Sequence, residues 1–350
     1  MQWADCKIVC RCGGFRAINR LPKSLKNSKF NPVMFFRKHL GLVFGFGVAA
    51  VSLAMVYLST RPLIPLVVQE QIEDDLEKCG GELKEARCAV SGEDGWIFLQ
   101  ESLVNLVVDW KENLNSFVAF NDSLEARGIK LVVVPVPDKL QIEAEHYSEE
   151  LSGGIVAPQY EEWVDALQDE GVVVVDAVEE FLEKNEETPM FEAYESHYTS
   201  AGRQLLAQMI ADTINEMDLD VPRGEWFLRD TVVPGTGNLY HLKYNSYPDY
   251  AVRVLKTVDA EGKRYHASKD APIVVIGDSN ADFGWNSSSN IGAYIAQATG
   301  IKTFTRSRIG GGNLGPTLFE GRSEFLEGKK MVVWVFDGRE LYGDFSMPEF

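Results

Sequence analysis

The stretch APIVVIGDSNADFGW, residues 271–285, decides how the rest of the chain is read. Its first half holds the apolar run Ile273–Ile276, the pattern of a strand buried on both faces. Its second half turns: Gly277 permits a tight bend, Asp278 and Ser279 follow, and a helix is expected next. In an open parallel sheet, ligands bind outside the carboxyl ends of the strands, where Ser279 stands. Ser279 is then either a nucleophile or an ordinary residue of a Gly-Asp-Ser turn.

Working outward, similar runs recur between helical patterns. GIKLVVVPVPDK (128–139) is a Val-rich strand stopped by prolines, and GVVVVDAVEEFL (171–182) is a second buried strand leading into an acidic helix. KTFTRSR (302–308) and KMVVWVFD (330–337) complete the strand set. Helical spacing covers 101–126, 161–171, 291–300, PTLFEGRSEFLEG (316–328) and SAGRQLLAQMIADTINEM (200–217), the last with Ser200 as N-cap. Residues 221–257 read as loop-rich. Buried strands alternating with helices predict an α/β fold with a mostly parallel sheet covered on both faces. No internal repeat or low-complexity linker interrupts residues 91–350, so one domain is expected there.

The formal charge of −18 is unevenly placed. Residues 1–61 carry ten Lys/Arg and one acid, while the remainder carries 24 basic and 51 acidic side chains. So acidic a body repels phosphate backbones, which argues against nucleic acid as a partner. LGLVFGFGVAAVSLAMVYL, Leu40–Leu58, is uncharged over nineteen residues, long enough for one N-terminal transmembrane helix. The basic residues before it predict a cytoplasmic tail over 1–38, an anchor over 39–59, a helical stalk over 60–90 and an extracytoplasmic domain over 91–350. A cleaved signal peptide is the alternative, and Met34 is an alternative start to Met1. In an oxidising compartment Cys79 and Cys88 are expected to pair, the alternative being two free thiols. Cys6, Cys10 and Cys12 lack a partnering His or a second CxxC, so no metal site is expected.

A serine needs a base to become nucleophilic. Of five histidines, His197 in FEAYESHYTSAG (191–202) has an acid at a useful spacing, since Glu195 on an extended loop can reach the imidazole. His39, His146, His241 and His266 have no obvious orienting acid nearby. The sequence holds no GxxxxGK[ST] or HExxH, and no cofactor is expected.

Taken in order, GEDGWIFL (92–99), LVVVPVPDK, the Glu-x-His of 195–197, GNLYHL (237–242), the GDS of 277–279 and VVWVFDGREL (332–341) resemble the alginate O-acetyltransferase family of the AlgJ/AlgX type. The resemblance spans about residues 90–345 and implies an SGNH-hydrolase-like α/β/α sandwich. It implies that Ser279 is the nucleophile, His197 the base and Glu195 the orienting acid, in an order permuted relative to ordinary SGNH hydrolases. The family usually has Asp where this chain has Glu195. RSRIGGGN (306–313) resembles the position of a glycine and an asparagine in the SGNH oxyanion hole, making Gly311, Gly312 and Asn313 candidates beside the backbone N–H of Ser279.

Arg306 and Arg308 are candidates to meet an anionic sugar, and Tyr198, Trp285 and Tyr240 to stack on sugar rings. The expected activity is transfer of an acetyl group to an exopolysaccharide, alginate or similar, through an acetyl-serine. A multi-span membrane acyltransferase is the expected acetyl supplier, and the expected location is the cytoplasmic membrane with the catalytic domain outside. A carbohydrate acetyl esterase of the same fold is the alternative within the class. A non-catalytic polysaccharide-binding or assembly protein is the alternative outside it.

Overall fold

The structure is a computed structural model that describes residues 64–80, 88–104, 113–155, 158–320, 323–342 and 345. The basic tail, the apolar run Leu40–Leu58 and the first three cysteines lie outside the described residues. Among the described residues, no helix is long and apolar enough to cross a membrane.

The strands in chain order are β1 (Ala89–Ser91), β2 (Ile97–Leu99), β3 (Lys130–Val136), β4 (Val173–Val174), β5 (Phe227–Pro234), β6 (Ala251–Val258), β7 (Ile273–Gly277), β8 (Thr303–Ser307) and β9 (Met331–Asp337). Five of them form one sheet in the order β4-β3-β9-β7-β8, and every pair in it is parallel. The last of the described strands thus occupies the middle. All seven residues of β9 and all five of β7 are buried, as a strand covered on both faces requires.

Side-chain alternation sorts the sheet into two cores. Val134, Val275, Val333 and Val335 face the helices Val178–Asn185, Ser200–Glu216 and Ile291–Thr299, through Phe181, Leu206, Ile210 and Ile295. Val133, Ile276, Trp334 and Phe336 face the opposite layer, through Phe117, Phe120, Trp163 and Leu167 of the helices Leu114–Glu125 and Pro158–Asp169. The result is a three-layer α/β/α sandwich.

Three local expectations are corrected. The second Val run is an edge strand of two residues, half-buried at Val173 and Val174, because it has a neighbour on one side alone. The segment from 316 forms 3-10 turns, Gly312–Phe319 and Ser323–Leu326, rather than an α-helix. Pro316 removes a backbone donor there, and Gly315 packs so close that a Cβ would lie 2.5 Å from the Trp334 indole nitrogen. Residues 221–257, read as loop, contain the antiparallel ribbon β5–β6, registered from Phe227↔Val258 to Pro234↔Ala251, with a helix Asn238–Tyr244 between the strands. Most of β5 is exposed, so it lacks the apolar alternation that marks a half-buried strand.

The expected stalk is helical over Leu66–Lys78, and its Val68 and Ile72 are buried with Val90, Phe98, Leu103 and Tyr147. Cys79 at the end of this helix is disulfide-bonded to Cys88 beside β1, with Cα atoms 5.9 Å apart. Replacing both cysteines by serine should lower the unfolding free energy by about 2–3 kcal/mol through the lost loop constraint. Urea melts of the variant and of the oxidised wild type measure this, and coincident curves would refute it.

Candidate active site

The site begins where β7 ends. A Cβ on Gly277 would lie 1.6 Å from the Val335 carbonyl oxygen, and φ there is +154°, so only glycine fits. The chain then reverses into a short helix, Ser279–Asp282, capped by Asp278, whose carboxylate accepts the Asn280 N–H at 2.7 Å. The same carboxylate accepts the Asp337 N–H at 3.0 Å, tying the turn to the end of β9. Ser279 is half-buried and lines a cavity of about 680 Å³.

His197 lines the same cavity. Its Nδ1 lies 2.6 Å from Glu195 Oε1, and its ring stacks on Phe283 with centroids 4.3 Å apart and planes at 7°. Donation by Nδ1–H to the carboxylate leaves Nε2 as the basic nitrogen. Nε2 is buried and, among the described residues, has no hydrogen-bond partner.

Glu195 is 2% exposed. Burial alone would push its carboxyl upward. The bonds from His197, the Thr236 hydroxyl and the Asn238 N–H outweigh that and hold it below the usual carboxylate range. The longer side chain that distinguishes Glu from Asp is thus met by the loop after β5, which supplies both Thr236 and Asn238.

Two buried cations hold this arrangement from behind. Arg203, 2% exposed, donates to the carbonyls of Tyr198 (2.7 Å) and Ser289 (2.8 Å) and lies over the Phe283 ring. It links the His197 segment to the turn that carries Phe283. Lys139, 4% exposed, donates to the carbonyls of Ile97, Glu192, Ala193 and Glu195 at 2.7–3.1 Å. Burial lowers its amine to about 7, against the opposing pull of Glu143, Glu195, Asp138 and Glu192. Between them, Asp337 is pushed well above the ordinary aspartate range by burial, with Arg339 pulling the other way, and Arg339 bridges Asp337 and Asp138 at the ends of β9 and β3.

The sequence candidates separate accordingly. Ser279, His197, Glu195 and Trp285 meet at the cavity. From the glycine run, Ile309 and Gly310 reach its wall. Gly311 and Gly312 are buried and not among the lining residues: the Gly311 N–H is bonded to the Arg308 carbonyl, and Gly312 is pressed against Phe336 and Asp278. The Asn313 side chain lies outside the described residues.

Arg306 lies over Phe325 on the far face of the sheet, sharing that face with Ile276, and Arg308 is exposed outside the lining. Tyr198 is fully buried, its hydroxyl donating to the Asn280 carbonyl at 3.0 Å. Tyr240 packs against Tyr194 and Tyr244, away from the cavity. Sequence reasoning missed Thr236, Asn238, Arg203, Lys139 and Phe283. Among the described residues, no group of His, Cys, Asp or Glu is placed to hold a metal ion.

Residues 89–337 match the family model described as the SGNH hydrolase-like domain of acetyltransferase AlgX. The chain belongs to the AlgX acetyltransferase family. It is 25% identical over 272 residues to "Probable alginate O-acetylase AlgJ" of Pseudomonas putida, covering 72% of this chain and 70% of that one. The protein of the same name from Pseudomonas syringae pv. tomato is 23% identical over 281 residues, 75% and 71% of the two chains. In fold, the O-acetyltransferase domain of Pseudomonas putida AlgJ superposes with a TM-score of 0.58 at 18% identity, covering 74% of this chain and 94% of that domain. Pseudomonas aeruginosa AlgX gives 0.55 at 18% identity, over 72% and 62%. This AlgX-family chain is therefore an SGNH-like O-acetyltransferase in fold and class.

Two stability predictions follow from the scaffold of the site. Gly277→Ala should cost more than about 3 kcal/mol or prevent folding, because the Val335 carbonyl has to be displaced. An unchanged melting temperature would contradict the close approach. Lys139 releases its proton near pH 7 in the native state but near 10.5 unfolded, so the unfolded chain binds more protons between those values. Stability relative to Lys139→Met should rise as pH increases from about 7 towards 10.5, measured by urea melts across that window. A flat or falling difference would count against it.

Proposed function

We propose that this chain acetylates hydroxyl groups of an exopolysaccharide, alginate or a similar glycan, through Ser279, His197 and Glu195. The observation that carries the reading is the Glu195–His197 pair at 2.6 Å, with the unpartnered Nε2 in the cavity that Ser279 also lines. Catalytic hydrogen bonds to a nucleophile commonly tighten only when substrate is bound.

In the first half-reaction, Ser279 Oγ attacks the acetyl carbonyl carbon of the donor while His197 Nε2 takes the hydroxyl proton. The donor's carrier leaves with that proton, and acetyl-Ser279 remains. In the second, His197 takes the proton of a sugar hydroxyl whose oxygen attacks the acetyl carbon. The Oγ–acyl bond breaks, the sugar ester departs, and Ser279 regains the proton from His197. Glu195 keeps Nδ1 protonated and stabilises the imidazolium in both steps. The backbone N–H of Ser279, with the segment at Ile309–Gly310, is the proposed cradle for the developing oxyanion.

The basic tail and the apolar run Leu40–Leu58 support a membrane-anchored enzyme whose domain works outside the cytoplasm. That reading calls for a multi-span membrane acyltransferase to deliver acetyl groups across the bilayer. Alginate oligomers are one acceptor to assay, given the names of the Pseudomonas relatives.

Ser279→Ala should lower acetyl transfer by about a thousandfold or more, and His197→Ala by a comparable factor, because the two act as a unit. Glu195→Gln should be milder but still severe. With p-nitrophenyl acetate as donor, intact-mass spectrometry should find one added acetyl group in the wild type and none in Ser279→Ala. Wild-type transfer by Ser279→Ala, without a Ser279 adduct in the parent, would refute the proposal.

A further inference from the structure

Glu195 is held at both ends, by different elements. At its main chain, the Lys139 ammonium donates to the Glu195 carbonyl at 3.1 Å and to the carbonyls of Glu192 and Ala193 at 2.7 and 3.0 Å. Further along, Arg203 holds the Tyr198 carbonyl at 2.7 Å, so the backbone carrying the Glu-x-His pair is fixed on either side of it. At the carboxylate, Oε1 meets His197 Nδ1, and Oε2 accepts the Thr236 hydroxyl and, at 3.4 Å, the Asn238 N–H.

Both donors to Oε2 come from the turn after β5, whose geometry depends on two glycines. Gly237 has φ +56°, and a Cβ there would lie 2.4 Å from Pro248 Cγ; one on Gly235 would lie 2.1 Å from Tyr250 Cζ. The turn is locked to the residues flanking Glu195. Asn238 Oδ1 accepts the Ser196 N–H at 2.9 Å, and Asn238 Nδ2 donates to Ser196 Oγ at 2.6 Å. The Leu239 N–H donates to the Tyr194 carbonyl at 3.0 Å.

Main chain and carboxylate are thus fixed separately, and the span between them is that of a glutamate. Aspartate is shorter by one methylene, about 1.5 Å. A displacement of about 1 Å in a catalytic constellation can cost about a hundredfold in rate. We infer that Thr236 is the positioning residue for Glu195, and that the two form a matched pair in which aspartate cannot replace Glu195. Aspartate fills this role in the Ser-His-Asp template, so the swap is the informative one. The inference deepens the proposed function and rests on it.

The test uses the full chain in detergent, with p-nitrophenyl acetate as donor and alginate oligomers as acceptor. Thr236→Val should lower kcat about tenfold or more with KM little changed, because the hydroxyl acts on a buried carboxylate rather than on the sugar. Thr236→Ser, which keeps the hydroxyl, should recover most of that loss. Glu195→Asp should lower kcat about a hundredfold. Adding Thr236→Val to Glu195→Gln should cost little more, since residues that act as a unit do not add. The downfield proton resonance of His197 Nδ1–H should weaken in Thr236→Val and return in Thr236→Ser. A raised KM with unchanged kcat in Thr236→Val would make Thr236 a sugar contact and overturn the inference. Wild-type kcat in Thr236→Val or in Glu195→Asp would overturn it as well. Urea melts show which variants fold, and if Thr236→Val does not, Glu195→Asp decides alone. Acetyl-Ser279 formation by the wild type without acceptor is scored separately. Its absence sinks the triad reading itself, whereas its presence beside a fully active Glu195→Asp sinks the matched pair alone.

Discussion

The contact between Gly277 and the Val335 carbonyl sets the geometry of everything around the cavity. With no side chain at 277, β7 can stay beside β9 to its last residue and still reverse at once into the next helix. The reversal brings the Asp278 carboxylate under two backbone donors, one in its own turn and one at the end of β9. Ser279 is therefore held by main-chain bonds rather than by the packing of its own side chain. A hydroxyl fixed in this way can remain accessible without being mobile.

The histidine segment is built on different physics. His197 and Glu195 lie on an irregular segment outside the main sheet. Buried cations supply donors to it: Lys139 gathers the carbonyls of Glu192, Ala193 and Glu195 together with that of Ile97, and Arg203 fixes the carbonyl of Tyr198. Because Lys139 and Arg203 spend these donors on main-chain oxygens, they position the segment by hydrogen bonds rather than by ion pairs. Burying such groups is costly unless they are fully hydrogen-bonded, and here the bonds coincide with the segment that carries the chemistry.

How much of this was legible depended on burial. The strands at 130–136, 273–277 and 331–337 are covered on both faces, and their apolar runs announce them. Strand β5 is exposed along most of its length and carries no apolar alternation to announce it, so its partner β6 was passed over with it. That Glu195 can reach His197, and that Ser279 ends a strand in a turn, was readable because their spacing and turn chemistry are local. Thr236 and Asn238 were not, since they reach Glu195 from some forty residues away. Tyr198 was misread for a simple reason: in an extended segment, neighbours point to opposite sides, so the tyrosine beside a cavity-facing histidine faces the core. The same alternation turned Arg306 away.

The central position of β9 bears on how the molecule comes to exist. Lys130 pairs with Met331 and Ile273 pairs with the same methionine, so a single strand joins the two halves of the sheet. Without it, β3 and β7 would each present an unpaired edge that is apolar apart from Lys130. Closing a contact across roughly two hundred residues carries a large loop-entropy cost, which slows folding and leaves those edges open to wrong partners meanwhile. The turn that carries Ser279 is anchored to this central strand through the Asp337 N–H, so its geometry depends on the two halves of the sheet being joined.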